Sequence, residues 1–215
     1  MRVLRPLKID LHVHTRFSRD SKTTLEDVIL YAKMRKLDGV AITDHDTVEG
    51  AEALSREDTG LIIIPGIEVS TRRGHILGLN VTTPIPKGLE PAEAVDRIHE
   101  AGGISVAAHP LAVYKGGLSM RSLSALKLDA VEVVNSSVFP FSLLTFLSER
   151  LSWKLGLPQT GGSDSHVPET IGLAYTIIYA EPDVDDIIES IRKGATVPEG
   201  EPIPFRLRLK KLREG

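Results

Sequence analysis

Seven histidines occur in the 215 residues, and six of them lie at the ends of short apolar segments. These six are His12, His14, His45, His75, His109 and His166. His75 opens its segment, whereas the other five close theirs. In parallel α/β proteins the C-terminal ends of the strands share one face, where active sites form. Because imidazole is a common ligand of divalent transition metals, this distribution predicts a metal centre at that face.

Carboxylates accompany these histidines. In the segment DLHVH the aspartate and both histidines alternate, so an extended strand points all three side chains to one side. Asp164 and His166 have the same spacing in GSDSH, and Glu68 follows a fully apolar run. A single strand-end histidine is more often a hydrogen-bonded structural residue than a ligand. A buried polar cluster of this size without an ion is unfavourable, however, so we favour metal ligands.

The composition limits the classes of function. The net charge of -3 and the pI of about 6.2 argue against a general nucleic-acid binder, which is usually basic. The absence of cysteine excludes thiolate ligands, so a metal site must use nitrogen and oxygen. Asn80, Asn135 and Gln159 are the sole amide side chains, and this depletion is typical of thermophiles. Without a signal-peptide or membrane-span pattern, we expect a cytoplasmic protein with no membrane partner.

Segments rich in Val and Ile alternate with segments of helical periodicity. Strands are predicted over residues 9–14, 39–43, 61–69, 75–81, 104–108, 130–134 and 173–179, with a shorter one over 158–161. Helices are predicted around residues 25–32 after the capping residues Thr23 and Thr24, from Pro91 to Gly102, and over residues 141–155 and 184–192.

Apolar strands separated by helices predict a parallel sheet that is covered on both faces. Seven or eight such units favour a compressed or irregular (β/α) barrel in one domain of 215 residues, although about 250 residues is typical. An open, doubly wound sheet is the alternative. The basic tail over residues 205–215 is interpreted as a solvated last element rather than a binding device.

Several motifs together resemble one family. DLHVHTRFSRDS, GVAITDHDT, GIEVS, GHILGL, AAHP and GSDSH occur in the order that is characteristic of the PHP (polymerase and histidinol phosphatase) family. The resemblance runs from about residue 8 to about residue 180. It implies a distorted (β/α)7 TIM-like barrel with two or three divalent ions, Zn, Mn or Fe, at its C-terminal face.

The resemblance also implies a set of ligands. The first ion would be held by His12, His14, Glu68 and Asp164; the second by Glu68, His75 and His109; and the third by Asp20, His45 and His166. Without Asp20, which lies in a loop, the third site would be weaker and the protein dinuclear. Asp10, Asp44 and Asp46 would support the ligands by accepting ring N–H groups. Asp46 could instead cap a helix, and Glu132 could support ligands or contact substrate.

The activity implied is phosphoester hydrolysis. A metal-bound hydroxide held by Glu68 and Asp164 would attack phosphorus, and the third ion or an unligated His166 acting as an acid would neutralise the leaving alkoxide. Five cations in nearby loops are candidates for binding phosphate oxygens: Arg16, Arg19, Arg72, Arg73 and Lys115. The expected substrate is a small phosphomonoester or nucleotide. A nuclease acting on oligonucleotide ends and a non-catalytic scaffold are the alternatives.

Overall fold

The computed structural model describes residues 5–118 and 123–208, and nine strands of this part of the chain form one sheet in the order β7-β6-β5-β4-β3-β2-β1-β8-β9. The strands are β1 (Pro6–Val13), β2 (Gly39–Ile42), β3 (Ile62–Thr71), β4 (Gly74–Leu79), β5 (Ile104–Ala107), β6 (Ala130–Asn135), β7 (Gln159–Gly162), β8 (Ala174–Tyr179) and β9 (Thr196–Gly200). The helices are α1 (Leu25–Met34), α2 (Glu49–Ser55), α3 (Pro91–Glu100), α4 (Phe141–Leu155) and α5 (Val184–Arg192). No helix of the described residues is long and apolar enough to cross a membrane.

The sheet curls until the chain that follows β7 reaches β1. The Asp164 N–H donates to the His12 carbonyl at 2.8 Å, and the His14 N–H donates to the Ser165 carbonyl at 3.0 Å. Gly162 makes this approach possible, because a Cβ at that position would lie 2.4 Å from the His12 Cβ. The nearly closed, barrel-shaped sheet confirms the predicted distorted TIM-like barrel.

The prediction of a wholly parallel sheet is wrong for two of the predicted strands. β4 is antiparallel to both β3 and β5, and β8 is antiparallel to β1. Arg72 and Arg73 alone separate β3 from β4, and so short a connection can form only an antiparallel hairpin. The reversal places the first residues of β4, including His75, at the same end of the barrel as the C-terminal ends of its neighbours. It therefore explains why this histidine opens its strand.

Local sequence signals account for most elements. Thr24 caps α1 and forms a capping box with Asp27, while α4 and α5 have the predicted bounds. The predictions missed α2, whose N-cap is Val48, and β9. The segment TVPEG of β9 contains a proline, which is tolerated in an edge strand and conceals the strand pattern.

The interpretation of the C-terminal tail as solvated is wrong for Arg208. Its guanidinium donates to the carbonyls of Ser136, Ser137 and Val138 at 3.0–3.1 Å, and its Nε donates to the carbonyl of Ile203. Phe205 and Arg206 are exposed, and residues 209–215 of that tail lie outside the described residues. Arg208 therefore ties the described part of the tail to the loop that follows β6.

Closure of the barrel at Gly162 gives a stability prediction. In Gly162→Ala the added methyl group collides with His12, so we expect the free energy of unfolding to fall by about 1–3 kcal/mol in urea denaturation. Gly60→Ala is the control, because no heavy atom lies within 4 Å of the added Cβ, although its positive φ of 67° costs about 1 kcal/mol. Equal losses in the two variants would show that close packing at Gly162 is unimportant.

Candidate metal centre

Six strands and the loops that follow them bring all nine predicted ligands to one end of the barrel. β1 contributes His12 and, just beyond its end, His14; the other residues are Asp20, His45, Glu68, His75, His109, Asp164 and His166. Most are buried: His12 and His14 are 0% exposed, Glu68 is 1% exposed and Asp164 is 2% exposed. Asp164 and His109 also have positive φ values of 53° and 30°, which is backbone strain of a kind that concentrates at functional sites.

The carboxylate of Glu68 lies at the centre of this cluster. Its Oε1 is 3.0 Å from both His75 Nδ1 and His109 Nε2. Its Oε2 faces three further ring nitrogens, those of His12 at 3.3 Å, His14 at 3.1 Å and His45 at 3.3 Å. The two oxygens thus face two different groups of imidazoles, as a carboxylate that bridges two cations would.

The proton on His12 can be assigned from its partners. His12 Nδ1 lies 2.9 Å from Glu132 Oε1, and an ionised carboxylate can only accept, so the Nδ1–H donates. The Nε2 then carries a lone pair when the ring is neutral and a second proton when the ring is charged. This atom lies 3.0 Å from the Nε2 of His14 and 3.3 Å from Glu68 Oε2. Glu132 therefore orients His12 with its Nε2 toward the centre of the cluster.

His14 is oriented by a longer chain of hydrogen bonds. The Ser18 hydroxyl donates to Asp44 at 3.0 Å, so its oxygen accepts from His14 Nδ1–H at 3.0 Å and from the His45 N–H at 2.9 Å. The His14 Nε2 consequently presents a lone pair to the centre. Burial, helped by the nearby His166, lowers the pKa of His14 to about 3, which keeps the ring neutral.

Electrostatics at the centre require a positive charge. Burial raises the pKa of Glu68 and of Asp164, but the surrounding cationic and hydrogen-bonding groups, His12 foremost for Glu68 and Lys115 foremost for Asp164, together hold both pKa values well below their usual range. Burial lowers the pKa of His12, but carboxylates, Glu132 foremost, raise it well above its usual range. In the metal-free chain a proton on His12 can thus supply part of the charge that a divalent cation would bring.

In the part of the chain that the structure describes, three groups of ligand atoms are close enough to hold an ion, with all atoms of a group within 4.8 Å of one another. They are His12, His14 and Asp164; His45, Glu68 and His75; and His14, His45 and His166. The Nδ1 of His109 is buried and has no hydrogen-bond partner among the described residues, and the Nδ1 atoms of His45 and His75, although close to Glu68, do not meet it in hydrogen-bond geometry. Buried nitrogens of this kind are normally satisfied, so this donor set fits divalent transition ions.

The loop residue Asp20 joins the third group. Its Oδ2 lies 3.1 Å from His166 Nε2 and 3.7 Å from His45 Nε2. Burial raises the pKa of Asp20, but the hydrogen bond and charge of His166 lower it further than burial raises it. The three residues that the family resemblance assigns to a third ion are therefore adjacent.

The roles predicted for three aspartates need correction, because none of them accepts a ring N–H. Asp10 accepts from the backbone N–H groups of Ser163 and Gly172, each at 2.8 Å, and Asp46 accepts from that of Ser70 at 2.8 Å. Asp44 accepts from Thr15 and Ser18, and Asp46 does not cap α2, whose N-cap is Val48. These aspartates hold the loops that carry the ligands.

Among the five predicted phosphate-binding cations, Lys115 contacts the cluster. Its Nζ lies 2.6 Å from Asp164 Oδ2 and 2.6 Å from Ser137 Oγ. Burial lowers the pKa of Lys115, but Asp164 outweighs this effect and raises it. The remaining four are on the surface: Arg72 and Arg73 lie beside Glu90, and Arg16 and Arg19 are exposed.

Three residues of the site were not singled out from the sequence. Ser18 donates to Asp44 and accepts from His14, and Ser137 accepts from Lys115. The Asn135 amide donates to Glu132 at 2.9 Å and to Asp164 at 3.2 Å. Asn135 follows Glu132 at i+3 at the end of β6, and a polar residue that ends an apolar strand was an available signal. Ser18 and Ser137 lie in loops and offered none.

Comparison with known proteins places this geometry in a family. The sequence model of the PHP domain matches residues 10–149, and that of the PHP-associated region matches residues 146–196. An uncharacterized protein of Methanocaldococcus jannaschii is 35% identical over 142 residues, which cover 60% of this chain and 82% of that protein.

Two further relatives match over 85 residues, about 36% of this chain. The phosphoribosyl 1,2-cyclic phosphate 1,2-diphosphodiesterase of Eggerthella lenta is 40% identical, with 32% of its length covered, and the 5'-3' exoribonuclease Rnm of Salmonella typhimurium is 39% identical, with 29% covered.

Among solved structures, a two-domain protein of Bacteroides vulgatus, described as containing a predicted PHP-like metal-dependent phosphoesterase, has a similar fold. Its TM-score is 0.79 at 17% sequence identity, and the alignment covers the whole of this chain and 71% of that one. The matched domain and the buried cluster of histidines and carboxylates lead to one conclusion: the chain belongs to the PHP family.

Proposed function

We propose that this protein is a metal-dependent phosphoesterase that hydrolyses a small phosphomonoester or a nucleotide. One observation carries the proposal: ring nitrogens from four strands and the residues that follow them surround the Glu68 carboxylate, with Asp164 and the half-buried Lys115 beside them. Bound divalent ions would supply charge neutralisation of phosphoryl oxygens and a lowered pKa for coordinated water. No serine or cysteine nucleophile is then required.

The ligand assignment proposed has Glu68 between two ions. His12, His14 and Asp164 would complete the first set, His75 and His109 the second, and Asp20, His45 and His166 a third. Zn, Mn and Fe suit such nitrogen and oxygen donors. Glu68 and Asp164 would hold the ions that activate the attacking water, and His166, if unligated, could protonate the leaving group.

Lys115 would bind a phosphate oxygen of the substrate. Its ammonium is charged, half-buried and already directed at a proposed metal ligand, Asp164. An ammonium has three protons to donate, and two of them are directed at Asp164 and Ser137, so the third could bind an oxygen of a phosphate placed at the ions. The lysine would thereby orient the phosphoryl group relative to the attacking water.

Hydrolysis of oligonucleotides is the second candidate function. The exoribonuclease and diphosphodiesterase relatives support it, because both names describe cleavage of phosphodiesters. The residues they share with this chain cover less than a third of each relative's length, so the activity of the whole relatives is not transferred here. A non-catalytic scaffold is less favoured, since it would not need a complete ligand set.

Metal affinity should depend on Glu132, which orients His12 and accepts from the His109 N–H at 2.7 Å. We expect Glu132→Ala to weaken binding of Mn or Zn by about 10–100-fold, measured by competition with a chelator. Asp129→Ala is the matched control: it removes a carboxylate 2.7 Å from His99, outside the cluster, and should leave metal affinity unchanged. Purified protein with fewer than one transition ion per chain would favour the scaffold instead.

Activity should require the ligand carboxylates. A Mn-loaded screen of phosphomonoesters, phosphodiesters and nucleotide 3′ and 5′ ends should detect phosphate or nucleotide release, and Asp164→Ala should reduce kcat by about 100-fold or more. Asp96→Ala, an exposed aspartate in α3, is the control and should retain full activity. Activity that survived in the Asp164 variant would have to come from a contaminating enzyme.

Removing the Lys115 side chain should mainly weaken substrate binding. We expect Lys115→Ala to lower kcat/KM by about 10–100-fold, because a charge-assisted hydrogen bond to phosphate is lost. The exposed Lys127, changed to Ala, serves as control. Metal content is measured in parallel, since the variant also deprives Asp164 of its cationic partner. Unchanged kinetics with unchanged metal content would remove Lys115 from the substrate site.

A further inference from the structure

Two exposed aromatic rings lie beside the lysine of the cluster. Tyr114 precedes Lys115 in the loop after β5, and Phe139 lies two residues beyond Ser137 in the loop after β6. Tyr114 is 64% exposed and Phe139 is 66% exposed. Single exposed aromatic residues are common on protein surfaces, but two at the rim of a polar site form an apolar area that needs an explanation.

The two loops are joined side by side. The Phe139 N–H donates to the Tyr114 hydroxyl at 2.5 Å, and Lys115 Nζ donates to Ser137 Oγ at 2.6 Å. Tyr114 and Lys115 in the loop after β5 thus both form hydrogen bonds to the loop after β6. Lys115 Nζ also donates to Asp164. The aromatic pair is therefore held at a fixed place relative to the metal centre.

Gly116 shows how close this loop comes to the ligands. Its carbonyl accepts from the His75 N–H at 2.8 Å, and a Cβ at this position would lie 3.0 Å from His75 Nε2. The segment from Tyr114 to Gly116 therefore runs across the rim of the metal centre.

Arg208, near the C-terminal end of the described residues, contacts the loop that carries Phe139. Arg208 donates to three successive carbonyls, those of residues 136, 137 and 138, and its guanidinium carbon lies 5.7 Å from the centre of the Phe139 ring. This arrangement fixes the loop that carries the ring and adds positive charge beside it. Phe139 remains two-thirds exposed despite this contact.

From these contacts we infer that Tyr114 and Phe139 form a stacking platform for the base of a nucleotide whose phosphate lies at Lys115 and the metal centre. This inference rests on the proposed function and narrows its substrate class. A nucleotide combines what the rim offers to bind, an anionic phosphate and, one sugar away, a flat aromatic ring. Stacking of a base on an aromatic side chain tolerates any base and contributes about 1–3 kcal/mol.

The test compares adenosine 5′-monophosphate with ribose 5-phosphate, which has the same phosphate and sugar but no base. kcat/KM is measured for both with the Mn-loaded full chain. Binding is measured by calorimetry with phosphonate analogues of both ligands, in which CH2 replaces the ester oxygen. We expect the native protein to favour the adenosine ligand by roughly 5- to 150-fold in affinity.

Tyr114→Leu and Phe139→Leu together keep apolar bulk and remove the aromatic faces. This double variant should lose the preference for the adenosine ligand while its affinity for the ribose ligand stays unchanged, and Phe139→Trp should retain the preference. Trp153→Leu is the matched control: Trp153 is 69% exposed but lies twelve residues beyond the start of α4, about 18 Å along the helix. Trp153→Leu should leave the affinity for the adenosine ligand and for the ribose ligand unchanged.

The possible results of these measurements distinguish a failure of the stacking platform from a failure of the proposed phosphoesterase function. Equal binding of the two ligands by the native protein would overturn the platform, and so would equal losses for both ligands in the double variant, which would indicate displacement of Lys115. Preferential binding of the adenosine analogue without hydrolysis of either ester would support the platform and overturn the proposed function. Equal hydrolysis of both esters together with equal binding of both analogues would support the proposed function and overturn the platform.

Discussion

Glu68 is a carboxylate buried to 99% among five imidazole nitrogens, and Asp164, a second buried carboxylate, lies 3.8 Å from His12 Nε2 and 3.6 Å from His14 Nε2. Two buried carboxylates are unfavourable in a protein interior unless positive charge is present. Protons on the imidazoles can supply some of that charge, and divalent cations supply it more completely. The surrounding structure is organised around this requirement, because each strand end nearby contributes one ligand or one residue that orients a ligand.

The orienting residues explain why so many polar groups are buried at this end of the barrel. Glu132 accepts from His12, from the backbone at His109 and from Asn135, so one carboxylate determines the positions of two ligands. Ser18 has a comparable role for His14, because its single proton is committed to Asp44. Partners of this kind hold a metal site in a single geometry and raise ligand basicity.

Barrel closure and the site depend on each other. The backbone bonds that join residues 164 and 165 to β1 also bring Asp164 beside His12, and Gly162 permits the approach. Loops from different strands meet at the same end, where Lys115 links the loops after β5 and β6 to Asp164. The C-terminal Arg208 adds a further connection from outside the barrel.

The sequence by itself determined which residue types would meet. Apolar strands ending in histidine and carboxylate predicted the face, the barrel and eight of the nine candidate ligands, because periodicity and strand direction are local properties of the chain, and the family resemblance added Asp20. Tertiary structure decided the direction of β4 and the hydrogen-bond partners of the site residues, which a local sequence pattern cannot encode. The two-residue hairpin after β3 reversed β4 and so brought the first residues of its strand, with His75, into the site. Packing between distant loops selected Glu132 rather than Asp10 to orient His12, and selected Lys115 rather than four surface arginines to reach Asp164. Which atom faces which partner depends on residues more than a hundred positions apart, as His12 and Glu132 are, and such distances become short only when the sheet closes.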